Sequence, residues 1–147
     1  MKLKEVPGSI FDYERECYMN IISADFKNGY DDKVSMEFSS RFGVNQQLID
    51  TWRTYIKWFK KDGAGAIVTH APLVINLCVK AYVYERPTRE TLKIALKQAA
   101  DMCYGLGVFE LSVSKKSFTE QGYDWDKVKD YFDRYFGELE MMITVYE

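Results

Sequence analysis

The stretch PTRETLKIALKQAADMCYGLGVFELSV, residues 87–113, carries one helix and the strand that follows it. Thr88 is a residue type that caps helix N-termini, and Glu90 puts a carboxylate in the first turn, where the partial positive charge of the helix end stabilises it. Leu92, Leu96, Ala99 and Cys103 then recur at helical spacing and form one core-facing stripe, which predicts a helix from Thr88 up to Gly105. Val108–Val113 follows with the two-residue alternation of a strand. Further along, Asp124 can cap a second helix whose inner stripe is Trp125, Val128, Tyr131, Phe132 and Phe136, and Met141–Tyr146 has the composition of a final strand. Strands that alternate with helices in this way imply right-handed crossovers onto a mostly parallel sheet, with helices on both faces.

The half before Pro87 supplies the rest of the sheet. Met1–Val6 alternates apolar and charged side chains before Pro7-Gly8, as an edge strand does. Cys17–Ser23 is a short, mostly apolar run suited to the inside of a sheet. Lys33–Phe42 places Val34, Phe38 and Phe42 one turn apart, with Gly43 to end the helix. Asn45–Lys61 repeats the pattern with Leu48, Trp52, Tyr55, Ile56 and Phe59. Ala66–Thr69 and Leu73–Val79 are too short for typical helices and rich in β-branched residues, so they predict two adjacent strands joined through His70-Ala71-Pro72.

Bulk properties narrow the class of function. A chain of 147 residues is about one domain long, so residues 1–147 are expected to form a single unit. A hydrophobic share of 47% and a charged share of 29% are ordinary globular values. A net charge of −2 provides no field that would attract nucleic acid in general. Nothing in the sequence approaches the roughly 18 apolar residues of a membrane span, and the cytoplasm is the expected compartment. Cys17, Cys78 and Cys103 stand apart and odd in number, which suits buried thiols. His70 is the one histidine, so neither a metal nor a cofactor is implied; in its turn it is expected to be exposed. Trp52, Trp58 and the tyrosines have the spacing of core packing, not of a base-stacking platform.

Several segments in order resemble the macrodomain family, in the branch that contains terminal ADP-ribose glycohydrolases, ADP-ribose-1″-phosphate phosphatases and antitoxins that strip ADP-ribose from DNA. They are Gly8–Phe11, Arg41–Gly43, Val74–Leu77 with Lys80, Arg86–Leu92 with Ala95-Leu96, Gly107–Val113, Tyr123–Val128 and Ile143–Tyr146. The resemblance covers nearly the whole chain. It implies a three-layer α/β/α fold on a mixed, mostly parallel sheet, with ligands bound at the strand carboxyl ends.

The resemblance also marks positions for a site, and this sequence departs at most of them. The family's adenine-binding Asp is replaced by Ser9, next to Ile10, and Asp12 lies three residues on. The first glycine-rich loop, which follows Ser23, corresponds to Asp25–Lys33; Ser23, Asp25, Asn28 and Gly29 are its candidate ligand-binding residues, and Asp31 and Asp32 would repel a diphosphate unless they point away. The second glycine-rich loop corresponds to Ser114–Gly122, in which the backbone is covered by side chains; Lys115 and Lys116 offer ammonium groups instead, with Gln121 and Gly122 completing the ligand-facing set. One hydrolytic subgroup pairs a lysine nucleophile with an aspartate. Lys80 stands at the lysine position, whereas Gln121 stands at that of the acid, leaving Glu120 as the neighbouring carboxylate.

Three functions follow. The first is a divergent module that binds ADP-ribose or a related nucleotide without the family's catalysis; the second is a catalytically silent protein-interaction module, with Asn45–Lys61 as the contact; the third is an ADP-ribosyl hydrolase using Lys80 and Glu120.

Overall fold

A computed structural model of the chain describes residues 1–27, 33–52 and 64–147. Asn28, Gly29, Asp31, Asp32, Tyr55, Ile56, Trp58 and Phe59 therefore lie outside the described residues, and so does the second half of the expected helix over 45–61.

The described elements run β1 (Lys2–Val6), β2 (Cys17–Ser23), α1 (Lys33–Phe42), α2 (Val44–Trp52), β3 (Gly65–Thr69), β4 (Leu73–Lys80), α3 (Arg89–Leu106), β5 (Glu110–Ser114), α4 (Lys115–Thr119), α5 (Trp125–Phe136) and β6 (Met142–Tyr146). The strands form one sheet in the order β1-β6-β5-β2-β4-β3. β3 and β4 are the expected antiparallel hairpin, and every other neighbouring pair is parallel. The fold is thus a mixed, mostly parallel α/β sheet covered on both faces.

Burial follows the pleat. Met19 and Ile21 of β2 point into the core beneath α3 and α5, whereas Tyr18 and Ile22 point into the core beneath α1 and α2. All seven residues of β2 are buried, as a central strand with both faces covered requires. α3 begins as expected: the Thr88 hydroxyl accepts the Thr91 N–H, and the Thr91 side chain answers to the Thr88 backbone. It ends later than expected, because Gly107 and not Gly105 takes the left-handed conformation, at φ 67°. Two glycines two residues apart are equivalent in sequence, and the later one lets the Val108 N–H reach the Cys103 carbonyl at 3.0 Å.

The β3–β4 turn is held from α2. Gln47 accepts the His70 N–H at 2.9 Å and donates to the His70 carbonyl at 2.7 Å, leaving the imidazole exposed. Parallel pairing brings the carboxyl ends of β1, β6, β5, β2 and β4 to one edge of the sheet, so Val6, Tyr146, Ser114, Ser23 and Lys80 all open onto the same loops.

Candidate functional site

Three chain segments build this edge. After β1, Gly8 turns at φ 104°, and the Asp12 carboxylate accepts the Ser9 N–H at 2.9 Å, while the Ser9 hydroxyl accepts the Phe11 N–H at 3.1 Å. A Cβ on Gly8 would come within 3.0 Å of that Asp12 oxygen, so glycine suits the position twice over. Asp12 thus holds the turn's shape, and Ile10 is buried beneath it.

After β2, the Ser23 hydroxyl lies 2.5 Å from Asp25 Oδ1, which also accepts the Lys27 N–H at 3.3 Å. The other Asp25 oxygen accepts the Val83 N–H at 3.0 Å, across 58 residues. This one carboxylate therefore ties the exit of β2 to the exit of β4. A register shift between Ile22 and Ser23 sets Ser23 opposite Lys80, and the Lys80 carbonyl accepts the Ala24 N–H at 2.9 Å. Phe26, buried nearby, holds φ at 55°, a conformation costly for an aromatic residue.

After β5, the chain does not form the open loop expected over 114–122. Lys115–Thr119 is a turn and a half of helix, because nothing from Ser114 to Gln121 is glycine or proline and because Phe118 is driven inward. The Phe118 ring is wholly buried, 5.8 Å from the rings of both Trp125 and Phe132. Gly122, at φ 89°, then turns the chain away. Lys116 and Glu120, one helical turn apart, share a face.

Lys80 closes the group. It is 7% exposed, and its ammonium donates to Gln121 Oε1 at 3.0 Å. No carboxylate lies within 4 Å of it among the described residues. Glu120 Oε2 is buried and has no hydrogen-bond partner among the described residues. Cys78, two residues before Lys80, has its thiol pushed up to about 12 by burial and stays protonated.

The turn after β1, the start of α1 and the α4 segment enclose a cleft of about 460 Å³. Its walls carry two ammonium groups, Lys33 and Lys116, and three carboxylates, Glu37, Glu120 and Glu147. Glu37 is partly neutralised by Arg41 at 3.2 Å, so the cleft offers both signs of charge.

No family model and no curated protein matches the sequence. Solved structures do match. The macrodomain of Thermus aquaticus DarG superposes with a TM-score of 0.75 at 19% identity, over 99% of this chain and 97% of that one. The macrodomain of Mycobacterium tuberculosis DarG gives 0.77 at 15% identity, over 98% and 96%. The chain has the macrodomain fold. Thermosipho africanus DarTG in complex with ADP-ribose gives 0.70 at 14% identity, over 99% of this chain and 41% of that one.

On this macrodomain scaffold the residues singled out in sequence do not all reach the cleft. Ser9, Ile10, Ser114, Lys116 and Glu120 line the cleft. Ser23, Asp25, Lys80 and Gln121 are linked by the bonds and pairing above but do not line it; Lys115 and Gly122 are also outside its lining, and Asn28 and Gly29 are outside the described residues. Sequence reasoning missed Lys33, Glu37 and Glu147. Lys33 and Glu37 share a helix face by their four-residue spacing, and Glu147 directly follows the last strand, so all three positions carried a signal.

Proposed function

We propose that this cleft binds ADP-ribose or a related nucleotide and does not cleave it. The observation that carries this reading is the convergence of Ser9-Ile10, Lys33 and Lys116 on one open cleft at the carboxyl ends of parallel strands, where ligands of such sheets bind. Binding is expected to differ from a backbone cradle: the α4 segment presents side chains, so Lys116 and Lys33 would meet phosphate as point charges. A solved structure in which 41% of the chain matches this fold, Thermosipho africanus DarTG, is a complex with ADP-ribose. Cleavage is not expected because Lys80 faces an amide. A lysine nucleophile needs a partner that takes and returns a proton, and Gln121 does neither.

Calorimetric titration with ADP-ribose, ADP and NAD tests the reading. ADP-ribose is expected to bind and to bind more weakly to Lys116→Ala. Folded protein that takes up none of the three at millimolar concentration would refute it.

Glu120 supports a second reading, an ADP-ribosyl hydrolase with Lys80 as nucleophile and Glu120 as acid–base group, because one of its carboxylate oxygens is buried at the cleft wall with no hydrogen-bond partner among the described residues. Release of ADP-ribose from modified protein or DNA by the native chain, lost in Lys80→Ala, would favour it. Equal release from both would discard it.

A further inference from the structure

The pole opposite the cleft has a different character. There α3 ends, the chain passes through Gly107 into β5, and the turn after α5 leads into β6. Tyr104, Leu106 and Phe109 are 78%, 48% and 64% exposed, three large apolar side chains within six residues. Tyr104 and Phe109, with Leu139, border a hollow of about 340 Å³ floored by Cys103 and Val108. Exposed apolar side chains gathered in one place mark contact surfaces.

These residues are also held in position. The Phe109 N–H donates to Glu16 Oε1 at 3.0 Å, and the Phe109 carbonyl accepts the Met142 N–H at 2.7 Å. The Glu110 N–H donates to the other Glu16 oxygen at 3.1 Å. An aromatic side chain on a backbone fixed from both sides loses little freedom when a partner covers it.

The charged side chains that line the hollow are of one sign. Glu138 and Glu140 line it, no lysine or arginine does, and neither glutamate has a cation within 4 Å among the described residues. The last turn of α3 carries no basic residue, so the partial negative charge of that helix end, equivalent to about half an elementary charge, is uncompensated beside it. Glu16 adds a carboxylate at Phe109. The Met1 ammonium and Lys2 line an adjoining hollow that shares Glu138, Leu139 and Glu140, and neither lines this one.

From these features we infer that this pole docks a basic segment of a partner protein, which places an apolar anchor side chain in the hollow beside Tyr104 and Phe109 and sets lysines or arginines against Glu138 and Glu140. The charge selects the partner and the apolar hollow holds it. The surface is independent of the nucleotide cleft, so either can fail without the other.

The test uses the full chain and a short synthetic peptide with one central leucine flanked by lysines, read by fluorescence polarisation, beside the same peptide flanked by glutamates. The basic peptide is expected to bind, to weaken with added salt, and to weaken at least about tenfold on Phe109→Ala or on the Glu138→Gln, Glu140→Gln pair. ADP-ribose titration of the same variants is expected to be unchanged. The inference falls if the basic peptide does not bind at millimolar concentration, if the acidic peptide binds as well, or if the variants bind like the native chain. It also falls if light scattering shows self-association that Phe109→Ala abolishes, which would give this face to a second copy of the chain.

Discussion

Exchanging Gln121 for glutamate would convert the contact at Lys80 into an ion pair without changing its shape. The Lys80 ammonium donates to Gln121 Oε1 at 3.0 Å, so the charged oxygen of Gln121→Glu would occupy nearly the same place. Two unit charges at that distance attract by about 5.5 kcal/mol at an effective dielectric constant near 20. Residue 121 is half-exposed, so solvent screening and the desolvation of the new carboxylate reduce the net gain to about 1–2 kcal/mol at pH 7. The new carboxyl would titrate below its unfolded value of about 4.3, by about one unit for each 1.4 kcal/mol gained. A depressed folded-state value means stability that is present above about pH 4.3 and lost as pH falls through the lower one. Urea unfolding of both proteins is therefore expected to show the variant more stable at neutral pH and the two alike near pH 2. The same variant regains a group that exchanges a proton with the Lys80 site, and slow release of ADP-ribose from modified protein is expected from it but not from the variant that also carries Lys80→Ala. A Gln121→Glu protein no more stable than the parent at pH 7, with an unchanged urea slope, would refute the pairing of Lys80 with residue 121.

Three further outcomes check the scaffold behind the site. Phe118→Ala removes a wholly buried ring between Trp125 and Phe132 and is expected to cost about 3–5 kcal/mol in denaturant unfolding, and to weaken nucleotide binding more than Phe118→Leu does, because Phe118 anchors α4. Thr88→Ala leaves the α3 amino end without its reciprocal cap and is expected to cost about 1 kcal/mol by the same measurement, with Thr88→Ser close to neutral. Burial pushes the Cys78 and Cys103 thiols up to about 12, so the stability tied to their neutral form is complete below about pH 8.5 and lost as pH rises toward 12. Urea midpoints that fall from pH 8.5 to 10.5 by the same amount in the native chain and in Cys78→Ala, Cys103→Ala would contradict this.

What could be read from the sequence was what depends on neighbours within one turn or one pleat. The Thr88 cap, the Leu92–Cys103 stripe, the alternation in β1 and the composition of β6 are local, and each of these elements formed where expected to within about two residues. Strand β5 begins at Glu110, later than its alternation suggests, because Val108 turns into the core while Phe109 is left outside. α4 could not be seen, since five residues make no stable helix alone and this one depends on a pocket for Phe118 formed by Trp125 and Phe132, further along the chain. The site was legible as a set of positions and not as a set of partners. Gln121 was notable in sequence because it is not an acid, but that its oxygen meets Lys80 across 41 residues depends on the α4 helix that the sequence concealed. Asp25 shows the same division: it stands where a nucleotide-facing loop was expected, yet both of its oxygens are turned to the protein, one toward Ser23 and the other toward Val83. A carboxylate so engaged clamps two strand exits together, and an anionic ligand arriving at the cleft meets less exposed negative charge from it than the sequence alone would suggest.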